Sequence, residues 1–409
     1  MKLPIQNPDT CRIGSLGAIL LLLTVLLGAC IADAFGGDLR KLAAGGAVMV
    51  AELDGTKLFA EHPDALMVPA SILKIATASA ALRVLGADYR FTTEFLTNDA
   101  GDLMIRGGGD PLLVSEAWSF IIPQLKEKGL AKVRNILLDD SAFDAGLTIP
   151  GVGASTNPYD AFVGALSVNF NTIHVVKRGG IIQSAEPQTP LTPLAREKAA
   201  RLKLGKVAQR IRIDGGRLDV LRYTGELCRA FLEQNGIQVT GVIEPGSGAK
   251  GFRSIHVHPC LKSLDQVISD MMRYSNNFMA NQVFLVMGAA VHGGPATIGK
   301  GQQVMAGFLQ SRAACAGCTM VEGSGISRDN RMTARCMLSV LLGFHSYKEL
   351  LSRTDGVYSK TGTLSDTKTL TGFFPGPDGR DRAFVILLDG KNYNREGILR
   401  LLQRRFGKR

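Results

Sequence analysis

The sequence predicts a mixed α/β (α+β) protein in which a central apolar helix packs on antiparallel strands. Three observations carry this. Residues 72–85 are mostly Ala, Leu and Ile with few charges, which reads as a helix buried nearly all round. Residues 47–60, "AVMVAELDGTKLFA", read as two short strands about an Asp-Gly turn. Residues 358–390, "YSKTGTLSDTKTLTGFFPGPDGRDRAFVILLDG", read as consecutive antiparallel strands, with a terminal helix over 394–405. At 409 residues the chain has room for two or three modules.

Between these elements the texture changes. "FTTEFLTNDAGDLMIRGGGDPLL" (91–113) alternates and turns like strands, residues 115–129 are helical, and "VRNILLDDSAFD" (133–144) is a strand with an acidic end. Residues 150–215, rich in Gly, Pro, Thr and charges, suggest loops and short strands. Residues 219–236 form an amphipathic helix with a glycine stop, followed by a strand "IQVTGVIE". Residues 263–290 read as a helical stretch that contains "YSNN". There is no internal repeat.

A hydrophobic content of 45% and a charged content of 20% fit a folded globular chain. The net charge of +11 favours anionic partners. No Lys/Arg run is interleaved with aromatics, which argues against nucleic acid. Lys2 and Arg12 precede "IGSLGAILLLLTVLLGAC", a stretch of signal-peptide length that is short for a spanning helix. The chain is therefore expected to be exported to the periplasm, with residues 1–29 as signal peptide and 30–44 as tether. Leu27-Gly28-Ala29-Cys30 resembles a bacterial lipobox, which makes Cys30 the expected lipid anchor and the membrane a partner; ordinary cleavage after Ala34 is the alternative. Past Cys11 and Cys30, five cysteines remain, so at least one is left unpaired. "CAGC" (315–318) lacks a second ligand pair, and a local disulfide or two quiet thiols outweighs zinc. His256 and His258 share a strand face with no third ligand at suitable spacing, so no metal site is expected.

Three short motifs stand in order: Ser71-x-x-Lys74 at a helix start, Ser275-x-Asn277 inside a helical stretch, and Lys360-Thr361-Gly362 on a strand. Each alone is weak, but order and setting together match active-site serine acyl transfer. Ser71 would attack a carbonyl. Lys74 could take its proton once desolvation and a second cation, Lys360, lower its pKa. Ser275 offers a hydroxyl that can relay a proton to the leaving amine, and Asn277 an amide that can hold the substrate. Lys360 and Thr361 can bind a terminal carboxylate, and Gly362 leaves room for substrate along the strand. The backbone N–H groups of Ser71 and Thr363 are the candidate oxyanion donors.

The chain resembles the D-alanyl-D-alanine carboxypeptidase/endopeptidase family of class C low-molecular-weight penicillin-binding proteins, peptidase family S13. Beyond the three motifs, "RGGGDPLL" (106–113), "LLDDSAFD" (137–144), "GALSVNFNT" (164–172), "EGSGISRDN" (322–330) and "SKTGTL" (359–364) look like family signatures in family order. The resemblance implies a serine β-lactamase/transpeptidase-like domain, an antiparallel sheet with helices on both sides, built from residues 45–90 plus 258–405. It also implies an inserted α+β domain over 91–257, which fills the roughly 200-residue gap between Ser71 and Ser275. It implies cleavage of D-Ala-D-Ala or D-Ala-to-diaminopimelate bonds in peptidoglycan stem peptides, acylation by β-lactams, and no metal or organic cofactor. It points to Asp139 or Asp140 as the acidic residue near the diaminopimelate amine, against an acidic turn that caps the next element. The chain departs from the family at Phe170, where an acidic residue is usual, and in a shortened segment before Lys360, "YKELLSRTDGVYSK". Two rival readings stay open: a slowly acylating cell-wall binding or sensor protein that does not turn over, and a β-lactamase.

Overall fold

The computed structural model describes residues 39, 41–43, 45–390 and 394–408. The expected signal peptide and Cys30 lie outside the described residues. β1 (Gly46–Glu52) and β2 (Lys57–Glu61) form a hairpin, with Asp54 accepting from Thr56 N at 2.8 Å in the turn. A 3₁₀ turn, Ala70–Leu73, runs directly into α1 (Lys74–Leu85). A long middle segment follows: β3 (Thr92–Asn98), β4 (Leu103–Gly107), α2 (Trp118–Glu127), β5 (Lys132–Val133), β6 (Ile136–Asp139), β7 (Thr172–Arg178), β8 (Ile181–Ser184), α3 (Pro193–Ala200), β9 (Gln209–Arg212), α4 (Gly216–Gln234), β10 (Gln238–Val239), β11 (Ile243–Pro245) and β12 (Phe252–Pro259). The chain then forms α5 (Leu264–Arg273), α6 (Asn277–His292), α7 (Ile298–Gln310) and α8 (Ala334–Gly343). It closes with β13 (Ser352–Thr354), β14 (Val357–Leu364), β15 (Thr367–Pro375), β16 (Asp381–Asp389) and α9 (Arg395–Phe406).

The principal sheet has six strands in the order β13-β14-β15-β16-β1-β2, and every neighbouring pair is antiparallel. Its central strands are apolar on both faces because helices cover both. Ala47, Met49 and Ala51 of β1, with Ala383, Val385 and Leu387 of β16, join the core of α1, α5, α6 and α8. The alternate residues Val48, Val50, Phe384, Ile386 and Leu388 pack against Ile398 and Leu402 of α9. This alternation is the two-residue period of a strand applied to two cores at once.

The middle segment leaves and returns through adjacent strands: β3 pairs antiparallel with β12, and Thr92 lies opposite Pro259. Its five-stranded sheet, β11-β6-β4-β3-β12, is mixed, with β4–β6 and β6–β11 parallel. Trp118 of α2 stacks on Phe231 of α4 at 5.6 Å and meets Phe95 edge-on at 6.1 Å. β7, β8 and β9 form a separate three-stranded sheet. Phe143, Leu147, Ile149, Val163 and Ala165 belong to the core beneath the principal sheet rather than to the Trp118 core.

Several local expectations are corrected. The stretch 263–290 is two helices, not one, and Ser275 sits at the break with φ 51°. A residue in that left-handed region ends α5, and Asn276 starts α6 afresh by accepting from Met279 N at 3.0 Å. "IQVTGVIE" splits into β10 and β11, each paired with a different strand. Residues 150–215 contain a helix, α3, capped by Thr192. The "CAGC" cysteines do not pair with each other: Cys315 bonds Cys336 at the start of α8, and Cys318 is free.

Candidate active site

The 3₁₀ geometry of the first turn decides where Lys74 points. With three residues per turn, positions i and i+3 eclipse, and Lys74 Nζ lies 3.0 Å from Ser71 Oγ. Nζ also donates to Asn277 Oδ1 at 2.8 Å and to the Ser324 carbonyl at 2.7 Å. Lys74 is fully buried. Burial pushes its pKa well below the usual lysine value, and the Lys360 cation adds to this, while the Glu322 carboxylate opposes it.

Lys360, on β14, is buried and donates to Ser275 Oγ at 2.9 Å and to its neighbour's carbonyl, Thr361 O, at 2.7 Å. Burial first, and then the Arg395 guanidinium, bring its pKa down to about 8. Ser71, Lys74 and Asn277 thus form one hydrogen-bonded group and Ser275 with Lys360 a second, drawn from three elements, and the Lys360 cation acts on Lys74 through space. The left-handed backbone at Ser275 costs about 1–2 kcal/mol for a residue with a side chain, and both groups depend on it: it aims Ser275 at Lys360 while Asn277 meets Lys74.

β14 passes very close to the first turn. A Cβ on Gly362 would stand 2.9 Å from Ser71 N, 3.0 Å from Ala70 Cβ and 2.1 Å from Thr369 Oγ1. Only glycine permits that approach. Thr369 Oγ1 donates to Pro69 O at 2.8 Å and ties the sheet to the turn. The Ser71 amide, in the first turn, has no intrahelical acceptor. Thr361 and Thr363 are exposed along the same strand, as alternation about the inward-facing Gly362 requires.

The cleft in front of Ser71 is about 770 Å³ and is lined among others by Ser275, Asn277, Thr363, Tyr159 and Asp160. Tyr159 and Asp160 come from the middle segment, and no feature of "NPYD" singled them out. Tyr159 O accepts from Asn277 Nδ2 at 3.4 Å, and both Asp160 oxygens are engaged, by Gly153 N at 2.9 Å and Ser155 Oγ at 2.5 Å. Glu322 is a second omission. Fully buried, it accepts from Ser324 N and Oγ, Gly325 N and Asn330 Nδ2, at 2.6–2.8 Å. It folds "EGSGISRDN" into the loop that presents the Ser324 carbonyl to Lys74. The stretch was legible as a signature, but the carboxylate's task was not.

Asp139 and Asp140 stand apart from both groups, and neither lines the cleft at Ser71. Asp139 accepts from Arg106 Nε at 2.9 Å and Ser141 N at 3.0 Å, and Asp140 takes Arg217 through two bonds of 2.5 and 2.7 Å. Phe170 packs edge-on to Phe278 beside the start of α6. Among the described residues, no group of three or more His, Cys, Asp or Glu side chains is placed to hold a metal ion.

A hydroxyl 3.0 Å from a buried amine whose pKa is pushed well down, with a second buried lysine nearby, can carry out acyl transfer. The fold around it is of the β-lactamase/transpeptidase class. Residues 36–188 and 183–354 match the D-Ala-D-Ala carboxypeptidase 3 (S13) family, and the chain belongs to that family and is an enzyme of that kind. It is 26% identical to a D-alanyl-D-alanine carboxypeptidase of Actinomadura sp. (strain R39), across 93% of this chain and 87% of the relative. It is 25% identical to D-alanyl-D-alanine carboxypeptidase DacB of Haemophilus influenzae, across 79% of this chain and 81% of the relative. The crystal structure of penicillin binding protein 4 from Haemophilus influenzae superposes with a TM-score of 0.73 at 20% identity, covering 90% of this chain and 97% of that one. That protein has also been solved in complex with a β-lactam.

Proposed function

We propose that this enzyme is a serine-type D-Ala-D-Ala carboxypeptidase/endopeptidase that acts on peptidoglycan stem peptides through an acyl-enzyme on Ser71. The observation that carries the reading is the buried Lys74 amine, 3.0 Å from Ser71 Oγ and held low in pKa. Ser71 Oγ attacks the carbonyl of the penultimate D-Ala, and its proton passes to Lys74 Nζ. The oxyanion accepts from the N–H groups of Ser71 and Thr363. When the C–N bond breaks, the leaving amine takes a proton through the Ser275 hydroxyl, which Lys360 holds at 2.9 Å. Water then hydrolyses the ester and restores Ser71. Asn277 holds the substrate's peptide group, and Lys360 with Thr361 and Thr363 receives the leaving group's carboxylate. A β-lactam enters by the same attack, but its leaving amine stays tethered, which explains inhibition. No step calls for a metal or cofactor.

Asp139 and Asp140 are assigned to structural ion pairs, since each carboxylate is already matched by an arginine. Residues 91–257 act as an inserted domain that brings Tyr159 and Asp160 to the cleft. The leader pattern before Cys30 supports a periplasmic enzyme with a lipid anchor at Cys30.

The test is incubation of the purified domain with a fluorescent penicillin, beside Ser71→Ala, followed by assay of D-Ala release from a pentapeptide. A persistent covalent band in wild type only, with D-Ala release, supports the reading. No band from folded wild type favours a non-catalytic cell-wall protein. A band that decays with rapid penicillin turnover indicates a β-lactamase.

A further inference from the structure

The strand that carries Lys360 is held from the opposite face of the sheet by the first residue of the last helix. Arg395 opens α9, whose Ile398 and Leu402 anchor it on that face. Its Nη1 donates to Gly362 O at 2.7 Å, to Thr369 O at 3.1 Å and to Thr363 Oγ1 at 3.2 Å. Its Nε pairs with Glu396 at 2.8 Å. Nη2 has no hydrogen-bond partner among the described residues. The side chain is only 14% exposed, whereas Glu396 is 59% exposed and offsets the charge weakly.

Two consequences follow from the chemistry. The Thr363 oxygen is occupied as an acceptor, so its own hydrogen is left for a group in the cleft that Thr363 lines. A guanidinium is charged at every working pH, so a permanent cation stands behind Lys360 and Thr361. The charged group that bears on Lys360 is Arg395 from α9, while Lys360 and Glu322 in turn act on Lys74. An incoming carboxylate relieves the repulsion between these cations.

We propose that Arg395 is a positioning and specificity residue that turns the Thr363 hydroxyl toward the leaving group and makes the site select leaving amines bearing a free α-carboxylate over amidated or esterified ones. This rests on the acyl-transfer reading above and assigns a role to a residue outside its three motifs.

The experiment uses two matched peptides, one ending in D-Ala-D-Ala with a free acid and one ending in its carboxamide, with wild type, Arg395→Gln and Arg395→Lys. Wild type is expected to prefer the acid. In Arg395→Gln, kcat/KM on the acid should fall about tenfold, mainly through KM, and on the amide by less than about threefold. Arg395→Lys should recover part of the loss. The alkaline limb of kcat/KM should also move up in Arg395→Gln, because Lys360 loses a cationic neighbour. Equal loss on both peptides, or a wild type indifferent to the carboxylate, overturns the inference; if Arg395→Gln does not fold, Arg395→Lys carries the comparison, and its equal loss on acid and amide overturns the inference in the same way. A folded wild type that neither labels with penicillin nor cleaves either peptide overturns the acyl-transfer reading, and this inference with it.

Discussion

Two carbonyl oxygens and one hydroxyl surround the Lys74 amine: Asn277 Oδ1, Ser324 O and Ser71 Oγ. A neutral amine fits this set without remainder, two hydrogens to the carbonyls and the lone pair to the Ser71 O–H. An ammonium would point its third hydrogen at the hydroxyl and leave Ser71 without a base. Lys74→Arg should therefore be as inactive as Lys74→Met, with penicillin acylation rates down roughly a thousandfold in both. A Lys74→Arg enzyme that keeps a tenth or more of the wild-type rate would place the base elsewhere. Lys360 has the opposite requirement, because it must be charged to hold a carboxylate. Its pKa of about 8 makes it a cation below that pH and neutral above it. kcat/KM for a free-acid peptide should accordingly fall as pH rises through about 8. Lys360→Arg, with its charge fixed, should carry that limb to higher pH even if its overall rate is poor. Retention of the same limb in Lys360→Arg would assign it to another group.

At the level of the element, the site depends on how closely β14 approaches the 3₁₀ turn. Gly362→Ala puts a methyl against Ser71 N and Thr369 Oγ1 at distances no real side chain occupies. Neither contact is the far end of a flexible chain, so the strand must move, and the Thr363 amide and Lys360 move with it. Acylation should fall by about a hundredfold or more, the scale of losing one oxyanion donor. A Gly362→Ala protein with native acylation would show that the strand has slack. The helix of the first motif was legible because a small apolar run with few charges has only one way to be buried. So were β1, β2 and the closing strands, where Asp54-Gly55 and the alternation mark the turns. The break at Ser275 was not legible, because its left-handed turn falls on a serine rather than a glycine. The Cys315–Cys336 bond was hidden by the nearer partner at Cys318, since pairing is settled by the packing of α8 and not by spacing. Glu322 and Arg395 were hidden for a related reason: a single charge in a chain with many carries no signal until the fold shows what it touches.

For the whole molecule, the open issue is whether the inserted segment is a separate folding unit. Two features pull in opposite directions. Residues around Trp118 form their own apolar core, which would allow independent unfolding. Yet Phe143, Leu147, Ile149 and Val163 of the same segment are buried in the core beneath the principal sheet, and Gln282 Nε2 of α6 donates to Gly164 O at 3.0 Å. Burying four such side chains is worth on the order of 6–12 kcal/mol, comparable to the full stability of a typical domain. Coupling of that size should prevail over separate melting. The chain's one tryptophan, Trp118, reports on the insert's own core, while the penicillin labelling proposed for Ser71 would report on the cleft. In a urea titration the loss of native Trp118 fluorescence and the loss of labelling should coincide at one midpoint, as a cooperative transition requires. A labelling midpoint well below that of Trp118 would mean that the cleft opens while the insert stays folded, and that the shared core residues are too weak to join the two. Phe143→Ala sharpens the comparison: if the coupling runs through that contact, the variant should pull the two midpoints apart, whereas a purely local loss of packing would shift both together.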